Sequence, residues 1–113
     1  MKLEDVSRLL GCTVHCAPEG WESRKTGAVY AGDLMSDVLV NEGDAALLLT
    51  GLNSEQVIRT ADIVDACGVV LINNKVPQKA LIALAEETSI ALLSSPLSMY
   101  RACGILGNFE NGA

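Results

Sequence analysis

The chain has 113 residues with 14 acidic against 8 basic side chains, a formal charge of −6. Its basic residues (Lys2, Arg8, Arg24, Lys25, Arg59, Lys75, Lys79, Arg101) are scattered, which argues against nucleic-acid binding, a task that needs a concentrated positive field. Half of the residues are apolar and only 4% aromatic, so the composition excludes disorder and predicts one domain with a core of Leu, Val, Ile and Ala.

In chain order, Leu3, Val6, Leu9 and Leu10 repeat at helical spacing, which predicts a helix over residues 2–10 with Gly11 ending it. Residues 12–16 (CTVHC) are a short β-prone stretch. Residues 17–25 contain Pro18, Gly20 and the charged Glu19, Glu22, Arg24 and Lys25, and read as an exposed connection. Trp21 in that connection reads either as an interaction anchor or as a cover for one edge of a sheet. Residues 26–31 (TGAVYA) are strand-like, and Asp33 is placed to cap a short helix through Leu39. Residues 41–44 (NEGD) form a turn by composition.

The centre of the chain is residues 45–74. An unbroken apolar run at 45–49 is interrupted by Thr50-Gly51-Leu52-Asn53. An amphipathic stretch follows at 54–67, and Gly68 leads into a second apolar run at 69–72. Short continuous apolar runs alternating with helical patterns indicate strands covered on both faces. Asn53 is a candidate cap for the helix at 54–67, with Gln56 completing a capping-box-like arrangement. Val57, Ile58, Ala61, Val64 and Cys67 form the expected buried stripe; Glu55, Arg59, Asp62 and Asp65 face water.

Pro77 suits the first turn of a helix running to about Glu87, with Ala80, Leu81, Leu84 and Ala85 inward. Residues 89–93 are the next strand. Ser98 caps a last helix carrying Met99, Ala102, Cys103 and Leu106, and from Gly107 the composition is that of a flexible tail. Three strand–loop–helix units thus follow one another (45–67, 69–88, 90–106). They predict an α/β fold in a single three-layer domain over residues 1–106, a largely parallel sheet with helices on both faces, and a tail at 107–113.

Ligands of such folds sit at the carboxyl ends of the strands. The candidate ligand-binding residues are therefore Thr50, Gly51, Asn53, Ser54, Asn73, Asn74, Ser94, Ser95 and Ser98, joined by Gly32 and Asp33 if the strand at 26–31 runs the same way. A helix N-terminus there could hold an anion, but no GxxxxGK[ST] pattern is present. The competing reading is that Gly51 makes a turn and Asn53 caps a helix. Cys12, His15 and Cys16 lack a second Cys pair for zinc, and residues 12 and 16 of a strand face away from 15, so the thiols read as small core hydrophobes. Without a G-x-S-x-G elbow or a nucleophile beside a base, no catalytic residue is predicted. No metal or cofactor is implied either. No apolar run approaches the roughly 20 residues that span a bilayer, and the MKLEDVSRLL start lacks a signal-peptide core, so a cytoplasmic protein with reduced thiols is expected.

Residues 29–33 followed by a short helix, LLLTG before a helix opening on Asn53-Ser54-Glu55, and VVLINNKVPQKALIALAEETSIALLSSPLSMYRA together resemble the DRTGG domain over residues 2–106. The resemblance implies a regulatory, non-catalytic α/β domain similar to the N-terminal domain of HPr kinase and to domains beside phosphotransacetylase and CBS domains. It further implies a homodimer acting on a partner enzyme or signalling protein, in some members one linked to hydrogenase. A small anionic or nucleotide ligand would fit that role; a subunit lending a phosphate site to an acyl- or phosphoryl-transfer enzyme, or a structural adaptor, would be the alternatives. The chain departs from the family where Asn73-Asn74-Lys75 replaces a Thr-Gly-Gly loop and where Leu52-Asn53-Ser54 follows Thr50-Gly51, which puts a family ligand in question at those positions.

Overall fold

In a computed structural model that describes residues 1–40, 44–110 and 112, the three apolar runs become adjacent parallel strands. These are β3 (Leu47–Thr50), β4 (Gly68–Leu71) and β5 (Ala91–Ser94). β2 (Val29–Ala31) pairs in parallel with β3, and β1 (Thr13–Cys16) runs antiparallel along β5, giving the order β1-β5-β4-β3-β2. Among the described residues, five α-helices flank this sheet: α1 (Leu3–Leu10), α2 (Met35–Leu39), α3 (Glu55–Ile63), α4 (Lys79–Thr88) and α5 (Met99–Glu110).

The two-residue period of the strands divides the core into two layers. Leu48, Val69, Leu71 and Leu92 face Met35 and Val38 of α2, Val57, Ile58 and Ala61 of α3, and Leu81 and Ala85 of α4. Leu47, Leu49, Val70, Ile72, Ala91 and Leu93 face Leu3, Val6 and Leu10 of α1 and Ala102 and Leu106 of α5. Three successive crossovers of one hand put α2, α3 and α4 on one side, and the terminal helices cover the other. Each fully buried Leu or Ile contributes about 1.5–3 kcal/mol, so these two layers hold the fold. Trp21 lies half-buried against the α1/α5 layer, as a cover rather than a free surface group.

Several expected boundaries move, each because the chain finds a partner that a linear pattern does not show. Residues 26 and 27 leave the strand ladder to bond Met1 and Ala45, so β2 begins at Val29. β3 likewise begins at Leu47, after Ala45 takes φ 57. α3 ends at Ile63: Asp65 adopts φ 53 and the Ala66 N–H reaches back to the Ala61 carbonyl at 2.9 Å, a left-handed C-terminal turn. Cys67 therefore lies buried in the turn before β4, against the α1/α5 layer, and not in a helical stripe.

α4 starts at Lys79 with Gln78 at the cap, placing Pro77 just outside the helix and turning Ala80 to solvent. Ser89 is the left-handed cap after α4, and β5 starts at Ala91. α5 continues through Gly107 to Glu110, beyond the point where the composition turns polar. A helical glycine costs about 1 kcal/mol, and the anchoring of Leu106 in the core outweighs it. Gly11, at φ 60, ends α1 as expected. The turn expected at residues 41–44 lies, apart from Asp44, outside the described residues.

Candidate functional site

Because β2, β3, β4 and β5 are parallel, the loops after all four open on one edge of the sheet, and the eleven candidate residues gather there. The structure first corrects the role of Asp33. Its carboxylate does not cap α2, whose cap position is Leu34 without a side-chain bond. It turns instead to the neighbouring loop, where Oδ1 accepts from Thr50 Oγ1 at 2.8 Å and from the Gly51 N–H at 2.8 Å. Thr50 is fully buried, and its hydroxyl also accepts the Leu52 N–H at 3.1 Å. Gly32 extends the ladder, its N–H donating to the Leu49 carbonyl at 3.0 Å.

Asn53 is corrected in the same way. Ser54, not Asn53, stands at the α3 cap position, and neither it nor Gln56 forms a capping box. The Asn53 amide spans to the next loop, donating to the Val76 carbonyl at 2.7 Å and accepting the Gln78 N–H at 3.2 Å. Asn73 and Asn74 take φ 64 and 58, a left-handed pair that aims their amides at the loop after β5. Those N–H groups donate to Leu97 and Ser95 carbonyls at 2.7 and 3.0 Å. Ser95 is buried and donates to the Leu10 carbonyl at 2.6 Å, while its oxygen accepts the Leu97 N–H at 3.2 Å. Ser98 caps α5 as expected, accepting the Arg101 N–H at 3.2 Å.

The four loops are thus tied in sequence around the edge: Asp33 to Thr50-Gly51, Asn53 to 76–78, Asn73-Asn74 to 95–97, and Ser95 to the end of α1. Most of the predicted polar side chains are already spent on backbone groups.

Ser94 joins a different neighbour. Its hydroxyl lies 2.7 Å from His15 Nε2, a contact the sequence did not suggest. A register shift between Val14 and Cys16 breaks the alternation of β1 at His15. Two corrections follow. Cys16 packs in the α2–α4 layer while Cys12 packs in the α1/α5 layer, so residues 12 and 16 do not share a face. His15 and Cys16 also line one shallow cleft of about 260 Å³ with Glu86 and Ser89, so they do not point apart. A second shallow cleft of about 540 Å³ runs along α5 from Met99 to Ile105. Neither cleft is lined by any of the eleven candidate residues.

Burial pushes the Cys12 thiol up to about 12 and the Cys67 thiol up to about 11, and raises Cys16 as well, Glu86 adding to the last. These are unreactive thiols at neutral pH. A folded-state pKa above that of the unfolded chain contributes stability below about 9 that is lost as pH rises towards 11–12. Urea midpoints should accordingly fall between pH 9 and 11, and a colorimetric thiol reagent at pH 8 should react with Cys12 and Cys67 only after denaturation. Rapid native labelling of both would contradict this placement. Among the described residues, no group of three or more His, Cys, Asp or Glu could hold a metal ion, and no helix is long and apolar enough to cross a membrane.

No family model and no curated protein matches the sequence. Three chains of solved structures match the fold. One holds the CBS and DRTGG domains of the regulatory region of Clostridium perfringens pyrophosphatase, complexed with its activator diadenosine tetraphosphate. It superposes with a TM-score of 0.67 over 93% of the present chain, at 15% sequence identity. In fold, the chain is DRTGG-like. This DRTGG-like chain spans 45% of that neighbour, and at such identity the likeness is one of fold alone.

Proposed function

We propose that this DRTGG-like domain is a regulatory, ligand-sensing unit without catalytic machinery, working as a homodimer on a partner enzyme or signalling protein, with hydrogenase-type energy metabolism as one setting. The observation that carries this reading is the cross-tying of the four loops at the carboxyl edge. The hydroxyl, amide and carboxylate groups hold loops together and do not stand as nucleophile beside base. A ligand that shifted one loop would pull on the next, which is what a sensor requires. The fold likeness to a pyrophosphatase regulatory region supports the same reading, since that protein was captured with a nucleotide activator.

Calorimetry against a set of nucleotides (diadenosine tetraphosphate included) and acyl phosphates, run beside chromatography of the mixtures, tests it. Binding of at least one compound without product is expected, together with twice the 11.9 kDa chain mass in sedimentation. Turnover that disappears on Asp33→Asn or Asn53→Ala would overturn the non-catalytic reading, and silence across the whole set would overturn ligand sensing.

A further inference from the structure

The loop after β3 contains a glycine that neither backbone nor crowding demands. Gly51 does not have the left-handed φ that favours glycine, and a Cβ built there would meet Asn73 Nδ2 and both Asp33 carboxylate oxygens at 3.7 Å, ordinary contact distance. The absent side chain leaves a small shelf, walled by a carboxylate on one side and a carboxamide on the other. Asp33 Oδ1 is occupied by Thr50 and Gly51, but Oδ2 has no protein donor among the described residues, and neither has the Asn73 side chain a protein partner there.

The same geometry removes the obvious ligand. An anion would seek free backbone amides, and the Gly51 amide, in the loop ahead of α3, already faces an anion of the protein's own. A phosphate at that amide would have to displace Asp33 or lie against it, like charge on like. What the shelf offers is an acceptor with charge and a neutral amide able to donate or accept. A vicinal diol satisfies both: its hydroxyls donate to the carboxylate, as a ribose does in dinucleotide-binding folds, and accept from the amide.

We infer that the Asp33–Gly51–Asn73 shelf binds the ribose diol of a nucleoside, with any phosphates directed away from the Asp33 carboxylate and the Gly51 amide it occupies. This rests on the ligand-sensing reading and deepens it. Lys75, exposed on the same loop as Asn73, is the nearest cation along the chain for phosphates leaving the shelf.

Calorimetry with adenosine, 2′,3′-dideoxyadenosine and inorganic phosphate tests the inference on the whole chain. Adenosine should bind, and the dideoxy compound and phosphate should bind at least about tenfold more weakly. Gly51→Ala should weaken adenosine by about tenfold or more while leaving the urea midpoint in place, because the methyl fits the fold but fills the shelf. Equal affinity for the dideoxy compound would overturn the inference, as would undiminished binding by Gly51→Ala. So would phosphate binding that tightens in Asp33→Asn, which would put the anion at the Gly51 amide after all. If adenosine does not bind, the diol shelf is wrong, while ligand sensing still stands or falls by the wider set of nucleotides and acyl phosphates.

Discussion

Gly27→Ala should be among the most destabilising single-methyl additions this chain can receive. The Gly27 N–H donates to the Ala45 carbonyl at 2.6 Å, where the chain entering β2 crosses the start of β3. A Cβ on residue 27 would run into the carbonyl oxygen of Asp44, and would press the Ala45 carbonyl at 3.1 and 3.2 Å. These are backbone atoms and cannot swing aside like a side chain. Relief requires parting the two segments, which breaks the Gly27–Ala45 bond and disturbs the left-handed Ala45 that leads into β3. The expected loss is about 2–4 kcal/mol, which for a domain of this size lowers Tm by roughly 10 °C or more. Gly104→Ala is the control. It adds a methyl to α5 where nothing lies within 4 Å, and should raise stability by about 0.5–1 kcal/mol. Urea unfolding of the two variants measures the contrast, and equal midpoints would refute the crossing contact.

That contact also illustrates what a sequence can and cannot reveal. The runs at 45–49 and 69–72 were legible as buried strands because both faces of a central parallel strand need apolar side chains, whichever strands lie beside them. The three successive β-α units followed from the same pattern, and the edge at which their loops collect followed from parallel direction alone. Nothing in the local sequence distinguishes Gly27 from any glycine at a strand entry, since the oxygen that excludes a side chain belongs to Asp44. Asp33 and Asn53 look like helix caps in sequence because a cap needs only a local partner. In the fold each had a competing donor or acceptor on another loop, 17 to 25 residues away, and took that instead. His15 shows the same limit in a strand: alternation predicts orientation only while the ladder stays in register, and the irregularity before Cys16 reorients the only histidine of the chain.

The helix boundaries share this cause. Val64 and Cys67 continue the apolar period of α3 in sequence, yet both residues are needed elsewhere, in the left-handed turn and in the layer under α1. Periodicity reports which side chains are buried and is silent on whether one helix buries them all.

Thr50→Val should have the second large effect, and it tests whether the loops at the carboxyl edge behave as one body. Valine keeps the volume and the β-branch, so the fully buried site remains filled. What goes is one hydroxyl that donates to Asp33 Oδ1 at 2.8 Å and accepts the Leu52 N–H at 3.1 Å. The Leu52 amide then has no acceptor, and Asp33 keeps only the Gly51 N–H. An orphaned donor of this kind costs about 1–3 kcal/mol. Asp33→Ala removes the other end of the same bond, so the double variant should lose less than the sum of the two single losses, by about 0.5 kcal/mol or more. Thr50→Ser, which retains the hydroxyl and gives up only a methyl, should keep the Asp33 coupling while losing about 1 kcal/mol of burial. A four-cornered set of urea denaturations measures all of this. Strict additivity would mean that Asp33 and Thr50 do not act through their shared bond, and that the bond does not couple the β2 loop to the β3 loop.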